Sequence, residues 1–116
     1  MKFAVLVMES EKDFASRADP QYMGAHIAYA QALAKAGVAA GGAGLEGPAK
    51  AVTVKLQGGK QHVHDGPFAD TKEQVGGFYV IDVPDMETAI KWAAKCPNAS
   101  IAGVEVRPLL APPPQG

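Results

Sequence analysis

The 116-residue chain is 47% hydrophobic and carries a net charge of −1, which is the balance of an ordinary globular domain. The near-neutral charge argues against nucleic-acid binding, and no apolar run approaches the ~18 residues that a membrane span needs. The single cysteine, Cys96, cannot form an internal disulfide, and these features together predict a cytoplasmic protein.

The N-terminal third of the chain predicts a strand, a loop and a long helix. Residues 3–8 are a short, nearly all-apolar run, typical of a strand covered on both faces. Residues 9–19 are polar and predict a loop. The helix spans residues 20–36 and begins at an Asp-Pro pair, because aspartate accepts hydrogen bonds from free amides and proline fits the first helical position. Gly37 fits the left-handed cap that ends such a helix.

The middle of the chain is rich in glycine and predicts strands and turns. Residues 38–48 are mostly Gly and Ala and predict a short strand and a turn. Apolar and polar residues then alternate on both sides of Gly58-Gly59. This pattern predicts a hairpin of residues 51–57 and 60–64, since both turn glycines can take positive φ.

The C-terminal part of the chain predicts a second helix between two strands. Pro84-Asp85 begins this helix and Pro97 stops it. Its apolar residues recur at helical spacing and predict the inner stripe Met86, Ala89, Ile90 and Ala93. After the hairpin, residues 65–68 predict a turn and residues 70–73 a single capped helical turn. Residues 78–83 predict a strand, residues 84–96 the second helix and residues 101–106 the last strand.

The order of these elements predicts an α+β fold. A split β-α-β pattern with an inserted β-hairpin fits a ferredoxin-like sandwich with both helices on one face of the sheet. Residues 1–108 are expected to form a single domain, and residues 109–116 a Pro-rich flexible tail.

Apolar residues on the second sheet face predict a homodimer. One alternating set is expected to face the helices and consists of Phe3, Val5, Val7, Phe78 and Val80. The residues between them, among them Leu6, Tyr79 and Ile81, are also apolar. A wet second face would expose a large apolar patch, so we expect a twofold contact between the sheets of two copies. The alternative is that the hairpin or the tail covers this face.

Several segments resemble one known family. The sequence DGPFADTKE at 65–73 precedes GGFYVIDVPD at 76–85, an Ala-Ile-x-Trp helix at 89–92 and VEVRP at 104–108. Together with AGVAAGGAGL at 36–45, this order and spacing resemble the DGPF-motif branch of the YCII-related family.

The resemblance implies a fold, an assembly and a kind of site. It implies a ferredoxin-like fold of the dimeric α+β barrel type, with a pocket near the dimer interface. The family's biochemical role is largely unassigned. In the wider family a His–Asp pair is the proposed acid–base site, and some relatives process small cyclic or chlorinated compounds. Members of this branch often occur beside alternative sigma factors, which implies a regulatory context.

Candidate catalytic residues are two histidines and an aspartate. His26 or His64 with Asp65 would form an acid–base pair, and the family's aspartate maps best onto Asp65. His26 lies between Tyr22 and Tyr29 on one helical stripe, where phenols can fix its tautomer. The alternatives are an Asx turn for Asp65 and a boundary histidine at the dimer seam for His26.

Candidate substrate-binding residues lie near the DGPF motif and at the ends of the chain's elements. They are Tyr22, Pro67, Phe68, Lys72 and Arg107. Lys72 would anchor an anionic substrate, and Arg107 would bind a carboxylate through two hydrogen bonds. The alternatives are a solvated lysine beside a capping-box glutamate and a surface ion pair of the arginine.

A metal site is the weaker interpretation of the remaining histidines. His62 and His64 are separated by one residue on a strand, so both face one side. A third ligand would come from Asp65, Asp70 or Glu73. Two exposed histidines on a strand also serve as plain polar residues, and the sequence predicts neither a metal nor a cofactor.

The sequence leaves two functions open. The first is a small-molecule-binding dimeric domain with a regulatory role beside a sigma factor. The second is a cofactor-free acid–base enzyme of the lyase or isomerase kind, with a His/Asp pair acting on a small cyclic substrate.

Overall fold

The structure is a computed structural model that describes residues 1–112. Its six strands, in chain order, are β1 (Lys2–Ser10), β2 (Ala39–Gly44), β3 (Val52–Gln57), β4 (Lys60–Asp65), β5 (Glu73–Asp82) and β6 (Val104–Pro108). Its three α-helices are α1 (Glu11–Ala15), α2 (Pro20–Lys35) and α3 (Met86–Ala94). Short 3₁₀ turns lie at Ser16–Ala18, Pro48–Lys50 and Pro97–Ser100.

Four strands form one antiparallel sheet in the order β2-β5-β1-β6, and β3 and β4 form a separate hairpin. The α+β fold class predicted from the sequence is confirmed. The helices α2 and α3 cover the same sheet face, because the side chains buried beneath them all come from alternate positions of the strands.

The core consists of one alternating set of strand residues and the inner faces of both helices. Phe3, Val5 and Val7 of β1 are buried against Leu33 of α2 and Ala89 of α3. The other buried hydrophobic residues of the core are Tyr29, Ile81, Val83, Ala93 and Cys96.

The predicted phase of β5 is wrong. The register pairs Phe3 with Ile81 and Val5 with Tyr79, so Ile81 and Tyr79 face the helices and Phe78 and Val80 face away. Both alternating sets of β5 are apolar, and alternation therefore could not reveal which set is buried.

Within residues 1–112, no further layer of the chain covers the second sheet face. Ala4, Leu6, Phe78 and Val80 lie on it and are half-buried. The chain is only 18 Å thick along its shortest axis, which leaves room for the sheet and a single layer of helices.

The helix α2 has the predicted bounds within one residue, and the apolar residues at its regular helical spacing are not the buried ones. Asp19 accepts a hydrogen bond from the amide of Gln21, and Gly37 ends the helix at φ 73°. Met23 and Ile27, which follow the helical spacing of an inner stripe, are 41% and 56% exposed. The stripe that faces the sheet consists of Tyr22, His26, Tyr29 and Leu33. In α3, Ala89 and Ala93 are buried as predicted, whereas Met86 and Ile90 are exposed.

Two predicted segments differ from the structure in kind. Residues 11–15 are helical, because Ser10 and Asp13 form a reciprocal capping box. Residues 70–73 are not helical. The side-chain amide of Gln74 instead donates to the carbonyls of Ala69 and Thr71, and Glu73 already belongs to β5.

The last strand begins three residues later than predicted. After the 3₁₀ turn Pro97–Ser100, the amides of Ile101, Ala102 and Gly103 all donate to the carbonyl of Asn98. This turn holds residues 101–103 out of the sheet, and β6 starts at Val104.

The hairpin of β3 and β4 is confirmed and stands away from the main sheet. Gly58 and Gly59 both have positive φ, as a tight two-residue turn requires. Its apolar face carries Val52, Val54, Leu56 and Val63, all exposed.

The expected flexible tail falls partly outside the described residues. Within residues 109–112, the amide of Leu109 donates to the carbonyl of Lys2, and residues 113–116 lie outside the description. Among the helices of residues 1–112, none has the length and apolarity to cross a membrane.

Candidate functional site

A cleft of about 400 Å³ opens between α2 and the edge of the sheet at β2 and β5. Its wall on α2 consists of Met23, Ile27 and Ala30, which explains why these apolar side chains are not packed in the core. The cleft is lined mainly by apolar surface with a few polar groups at one end, the usual composition of a small-molecule site.

The floor of the cleft is bare backbone. Gly42 pairs with Tyr79, and Gly44 pairs with Gly77, so the sheet meets the cleft at these positions with backbone and no side chain. A Cβ atom on Gly42 would press on the carbonyl oxygen of Phe78, and one on Gly77 would press on that of Ala43. A Cβ on Gly44 would meet only open space.

His26 lies at the polar end of this cleft with hydrogen bonds at both ring nitrogens. Its Nδ1 lies 2.9 Å from the hydroxyl of Tyr79, and its Nε2 lies 2.8 Å from Oδ1 of Asn98. The rings of His26 and Tyr79 are nearly parallel, with 7° between their planes. Both rings line the cleft, whereas the buried Asn98 lies behind them.

Asn98 determines which nitrogen of His26 carries the proton. Its Nδ2 donates to the carbonyl of Met8 at 2.9 Å, and a carbonyl can only accept, which fixes the orientation of the amide. Oδ1 of Asn98 is then the acceptor that faces His26, so Nε2 must donate. In the neutral ring Nδ1 is therefore the acceptor, and the Tyr79 hydroxyl donates to it.

The same amide extends the network to a buried carboxylate. Nδ2 of Asn98 donates to the hydroxyl of Tyr22 at 3.1 Å, and that hydroxyl donates to Oε2 of Glu9 at 2.8 Å. Glu9 is 3% exposed and follows Phe3, Val5 and Val7 on the buried side of β1. The network thus runs from Tyr79 through His26, Asn98 and Tyr22 to Glu9.

Arg17 neutralises this carboxylate and joins three segments of the chain. Its Nη2 forms a 2.5 Å ion pair with Oε1 of Glu9 and donates to the carbonyl of Gly76 at 2.8 Å. Its Nη1 donates to the carbonyl of Leu45, and the guanidinium lies over the ring of Phe14. The hydrogen bond and charge of Glu9 outweigh desolvation and raise the pKa of Arg17.

Burial keeps the phenols of the site protonated. Desolvation raises the pKa of Tyr79 to about 12 and is also the main cause that raises the pKa of Tyr22 to about 12. At neutral pH both hydroxyls therefore act as hydrogen-bond donors and acceptors and not as phenolates.

Of the candidate residues predicted from the sequence, Tyr22 and His26 lie in this cleft. Asp65, Pro67 and Lys72 line a second, more open groove of about 1240 Å³ beside α1. Within one chain, the structure does not bring His26 and Asp65 into one cavity. The side chain of Asp65 makes no hydrogen bond within residues 1–112, so the Asx-turn alternative is not formed either.

The other candidates are scattered over the surface. His64 lies on the exposed strand β4, opposite Thr53. Phe68 is 82% exposed, and the ammonium group of Lys55 lies over its ring. Arg107 forms an exposed 2.6 Å ion pair with Glu105, which is the surface ion pair that the sequence offered as the alternative to carboxylate binding. Roles for these residues in binding or catalysis stay predictions.

The two histidines of β4 lie beside basic and neutral neighbours. His62 pairs with Lys55 and His64 with Thr53 across the hairpin. In the part of the chain that the structure describes, no three His, Cys, Asp or Glu side chains form a group able to hold a metal ion.

Glu9, Arg17, Tyr79 and Asn98 were not identified as site residues from the sequence. Glu9 had a usable signal, because it continues the alternation of Phe3, Val5 and Val7 and therefore points into the core. Asn98 had none, since an asparagine after proline in a turn is ordinary surface composition.

Comparison with known proteins identifies the family. The YCII-related domain matches residues 1–111, and the chain therefore belongs to the YCII-related family. An uncharacterised protein of Rhizobium meliloti (strain 1021) is 46% identical over 61 residues, which are 51% of this chain and 49% of that protein. The match thus spans about half the length of this curated relative.

A solved structure supports the fold. The 5-chloro-2-hydroxyhydroquinone dehydrochlorinase from Burkholderia phenoliruptrix AC1100, in complex with 2,5-dihydroxybenzoquinone, aligns with a TM-score of 0.53. The alignment covers 95% of this chain and 94% of that chain at 18% identity. At this identity the likeness establishes a shared architecture and no shared activity.

Proposed function

We propose that the chain binds a small cyclic molecule in the cleft between α2 and β2. The observation that carries this proposal is the pairing of an apolar cleft with the doubly hydrogen-bonded His26 at its polar end. Apolar walls supply affinity, and a few fixed polar groups supply orientation.

The shape of the cleft favours a flat ring that carries oxygen substituents. A floor of Gly42, Gly44 and Gly77 lets a planar molecule lie directly on the backbone. The hydroxyl of Tyr79 and the imidazole of His26 meet the edge of such a ring. The structural relative was solved with a dihydroxylated quinone, which is a ligand of this chemical class.

The binding experiment uses three probes: hydroquinone, catechol and 2,5-dihydroxybenzoquinone. Calorimetric titration of the wild-type protein is expected to detect binding of at least one probe. Gly44→Leu places a side chain in open space within the cleft and is expected to weaken that binding at least about tenfold, roughly 1.4 kcal/mol.

The matched control is Gly24→Ala, on α2, where a Cβ atom also meets open space but lies outside the cleft lining. It is expected to bind like the wild type. No binding of any probe at millimolar concentration, or equal binding by Gly44→Leu, rejects the proposal.

Acid–base catalysis is the second candidate function, and the basic Nδ1 of His26 beside a phenol favours it. The residues would be His26 and Tyr79 in place of the His/Asp pair expected from the family. The test measures chloride release from 5-chloro-2-hydroxyhydroquinone by the wild type and by His26→Gln. Release that depends on His26 supports catalysis. Probe binding without release rejects this candidate in favour of a binding or regulatory domain.

We propose that a second copy of the chain covers the open sheet face. The centre of this face is apolar, with Leu6, Phe78 and Val80, and β6 adds Glu105 and Arg107 at its rim. Across a twofold axis, the glutamate of one copy can pair with the arginine of the other, so a rim that carries both charges is complementary to itself.

Light scattering after size exclusion tests this assembly. The wild type is expected to elute as a dimer and Leu6→Lys as a folded monomer, with the fold checked by circular dichroism. Leu56→Lys adds the same charge on the exposed apolar face of the hairpin and is expected to remain dimeric. A monomeric wild type, or dissociation by Leu56→Lys alone, rejects the sheet interface.

Finer assignments rest on the sequence. We assign the chain to the DGPF-motif branch because residues 65–68 read DGPF. We further propose that residues 1–108 form its single domain and that the protein is cytoplasmic.

In a regulatory role, binding of a ligand in the cleft would change the contact of this chain with a sigma factor. Copurification of a tagged chain with a sigma factor that changes on addition of a bound probe tests that role, and copurification that ignores the probe rejects it.

A further inference from the structure

Tyr79 lines the cleft, and within residues 1–112 its hydroxyl makes a hydrogen bond to His26 alone. Because its hydrogen is donated to Nδ1 of His26, the oxygen can accept a hydrogen bond from a ligand but has no second hydrogen to give. A ligand hydroxyl that donates to this oxygen completes a chain of two hydrogen bonds ending on a basic nitrogen.

We propose that the cleft takes the proton of an acidic hydroxyl group of its ligand, a phenol or an enol, and holds the ligand as the oxyanion. This inference rests on the proposed ligand-binding function and specifies the ligand's chemistry. The proton acceptor is Nδ1 of His26, Tyr79 relays the proton, and Asn98 is a positioning residue.

The proton transfer balances without any further reactant. The ligand O–H bond breaks and its proton forms a bond to the oxygen of Tyr79. The original O–H bond of Tyr79 breaks at the same time, and that proton forms a bond to Nδ1 of His26. The ligand becomes an oxyanion, Tyr79 is again a neutral phenol that now donates to that oxyanion, and His26 becomes an imidazolium.

Tyr79 suits a relay because its pKa of about 12 disfavours a lasting phenolate. It passes a proton on and returns to the neutral form. Its ring is fixed in position by an edge contact with Tyr29, at 4.9 Å between ring centres, and Tyr29 donates to the carbonyl of Trp92. The relay oxygen is therefore held at the distance from Nδ1 that the transfer needs.

The charged groups beside His26 are already bound to partners of their own. Glu9 of β1 is linked to His26 only through the hydrogen bonds of Tyr22 and Asn98. Arg17 donates its hydrogen bonds to Glu9 and to the carbonyls of Leu45 and Gly76. Asp13 of α1 is committed to its capping box with Ser10. An imidazolium Nε2–H keeps its acceptor, Oδ1 of Asn98, in both protonation states.

The test uses 4-nitrophenol, whose phenolate absorbs visible light, and 4-nitroanisole, which has the same ring and no ionisable hydroxyl. Bound 4-nitrophenol is expected to ionise at a pH about one unit or more below that of the free compound. Tyr79→Phe and His26→Gln are expected to abolish this shift while 4-nitroanisole still binds. Gly24→Ala is the matched control and is expected to keep the shift.

The outcomes separate this inference from the proposed function. If both compounds bind and 4-nitrophenol stays protonated, the relay is rejected and the binding cleft stands. If Gly44→Leu does not affect the binding of either compound, or neither binds, both proposals fail. A shift that survives in Tyr79→Phe also rejects the relay.

Nitrogen-15 NMR of the imidazole provides a readout that needs no ligand. Neutral His26 is expected to carry its proton on Nε2, with an unprotonated Nδ1. A proton on Nδ1 in the neutral ring overturns the proposal. In Asn98→Leu the preference for the Nε2 proton is expected to fall, whereas a merely structural asparagine would leave the tautomer unchanged.

Discussion

Gly76 lies against the carboxylate of Glu9, and a Cβ atom at this glycine would overlap Oε1. The contact arises from a bulge between β1 and β5, where Val7 pairs with Gly77 and Met8 with Val75. Gly76 is the additional residue of that bulge, and its carbonyl accepts hydrogen bonds from Arg17 and from the amide of Leu45. The glycine therefore gives the buried ion pair its space.

Gly76→Ala is expected to destabilise the fold by roughly 1–3 kcal/mol, as overpacking of a buried site does. The methyl group must displace Oε1 of Glu9, which is bonded to Arg17. Urea unfolding followed by circular dichroism measures the change. If the variant is as stable as the wild type, the Glu9 carboxylate can move without losing stability, which would contradict a stabilising role of its bonds to Arg17 and Tyr22.

Gly24→Ala is expected to stabilise the protein by up to about 1 kcal/mol. Gly24 lies inside α2, its backbone is helical, and a Cβ atom there has no neighbour within contact distance. The same urea titration checks this value. A loss of stability would show that the exposed side of α2 contacts something in solution at this position.

Asn98→Leu is expected to cost about 3 kcal/mol, because its amide bonds to three polar groups on β1 and α2. It removes the partners of the Met8 carbonyl, the Tyr22 hydroxyl and Nε2 of His26. Ser100→Ala is the matched control in the same turn, where an exposed hydroxyl is removed. If both variants unfold at the same urea concentration, the network adds nothing to stability.

Alkaline pH is expected to unfold the protein through its three tyrosines. Burial raises the pKa of Tyr22 and Tyr79 to about 12 and also raises that of Tyr29, from an ordinary value near 10. A pKa that is higher in the folded state means that the stabilisation is complete below pH 10 and is lost between about pH 10 and 12. Tyrosinate absorbance should rise together with the loss of circular dichroism. Ionisation near pH 10 in a folded chain would contradict this.

The thiol of Cys96 is expected to react only when the chain opens. It is 2% exposed, and burial raises the pKa of the thiol, so both access and the thiolate fraction are low. A colourimetric disulfide reagent should label the native protein far more slowly than the protein in guanidinium. Complete labelling within the mixing time would show that this end of α3 is open.

The regular elements could be predicted because their signals are local. An Asp-Pro start and a glycine end define α2, and paired glycines define the hairpin turn. The helix α1 was not predicted because its five residues are too few to show an apolar periodicity. The capping box of Ser10 and Asp13 was the only local signal for it. The phase of β5 escaped because it depends on partners more than sixty residues away in β1.

Half of the candidate site could be predicted and half could not. The aromatic stripe of α2 drew attention to Tyr22 and His26, since a histidine flanked by tyrosines is unusual on a helix face. Their partners Glu9, Tyr79 and Asn98 come from three other segments, and only the assembled fold brings them together. The conspicuous DGPF motif led to the prediction of a site beside the hairpin, but Asp65, Gly66 and Pro67 line a different groove.

The bond between Asn98 and Met8 joins residues 90 positions apart, and the bond between Asn98 and Tyr22 joins residues 76 apart. During synthesis the histidine emerges early, yet its ring has no fixed tautomer until the turn after α3 leaves the ribosome. A chain that ends before that turn would lack the acceptor that places the proton on Nε2 of His26. The tautomer of His26 therefore depends on a contact that forms late along the chain.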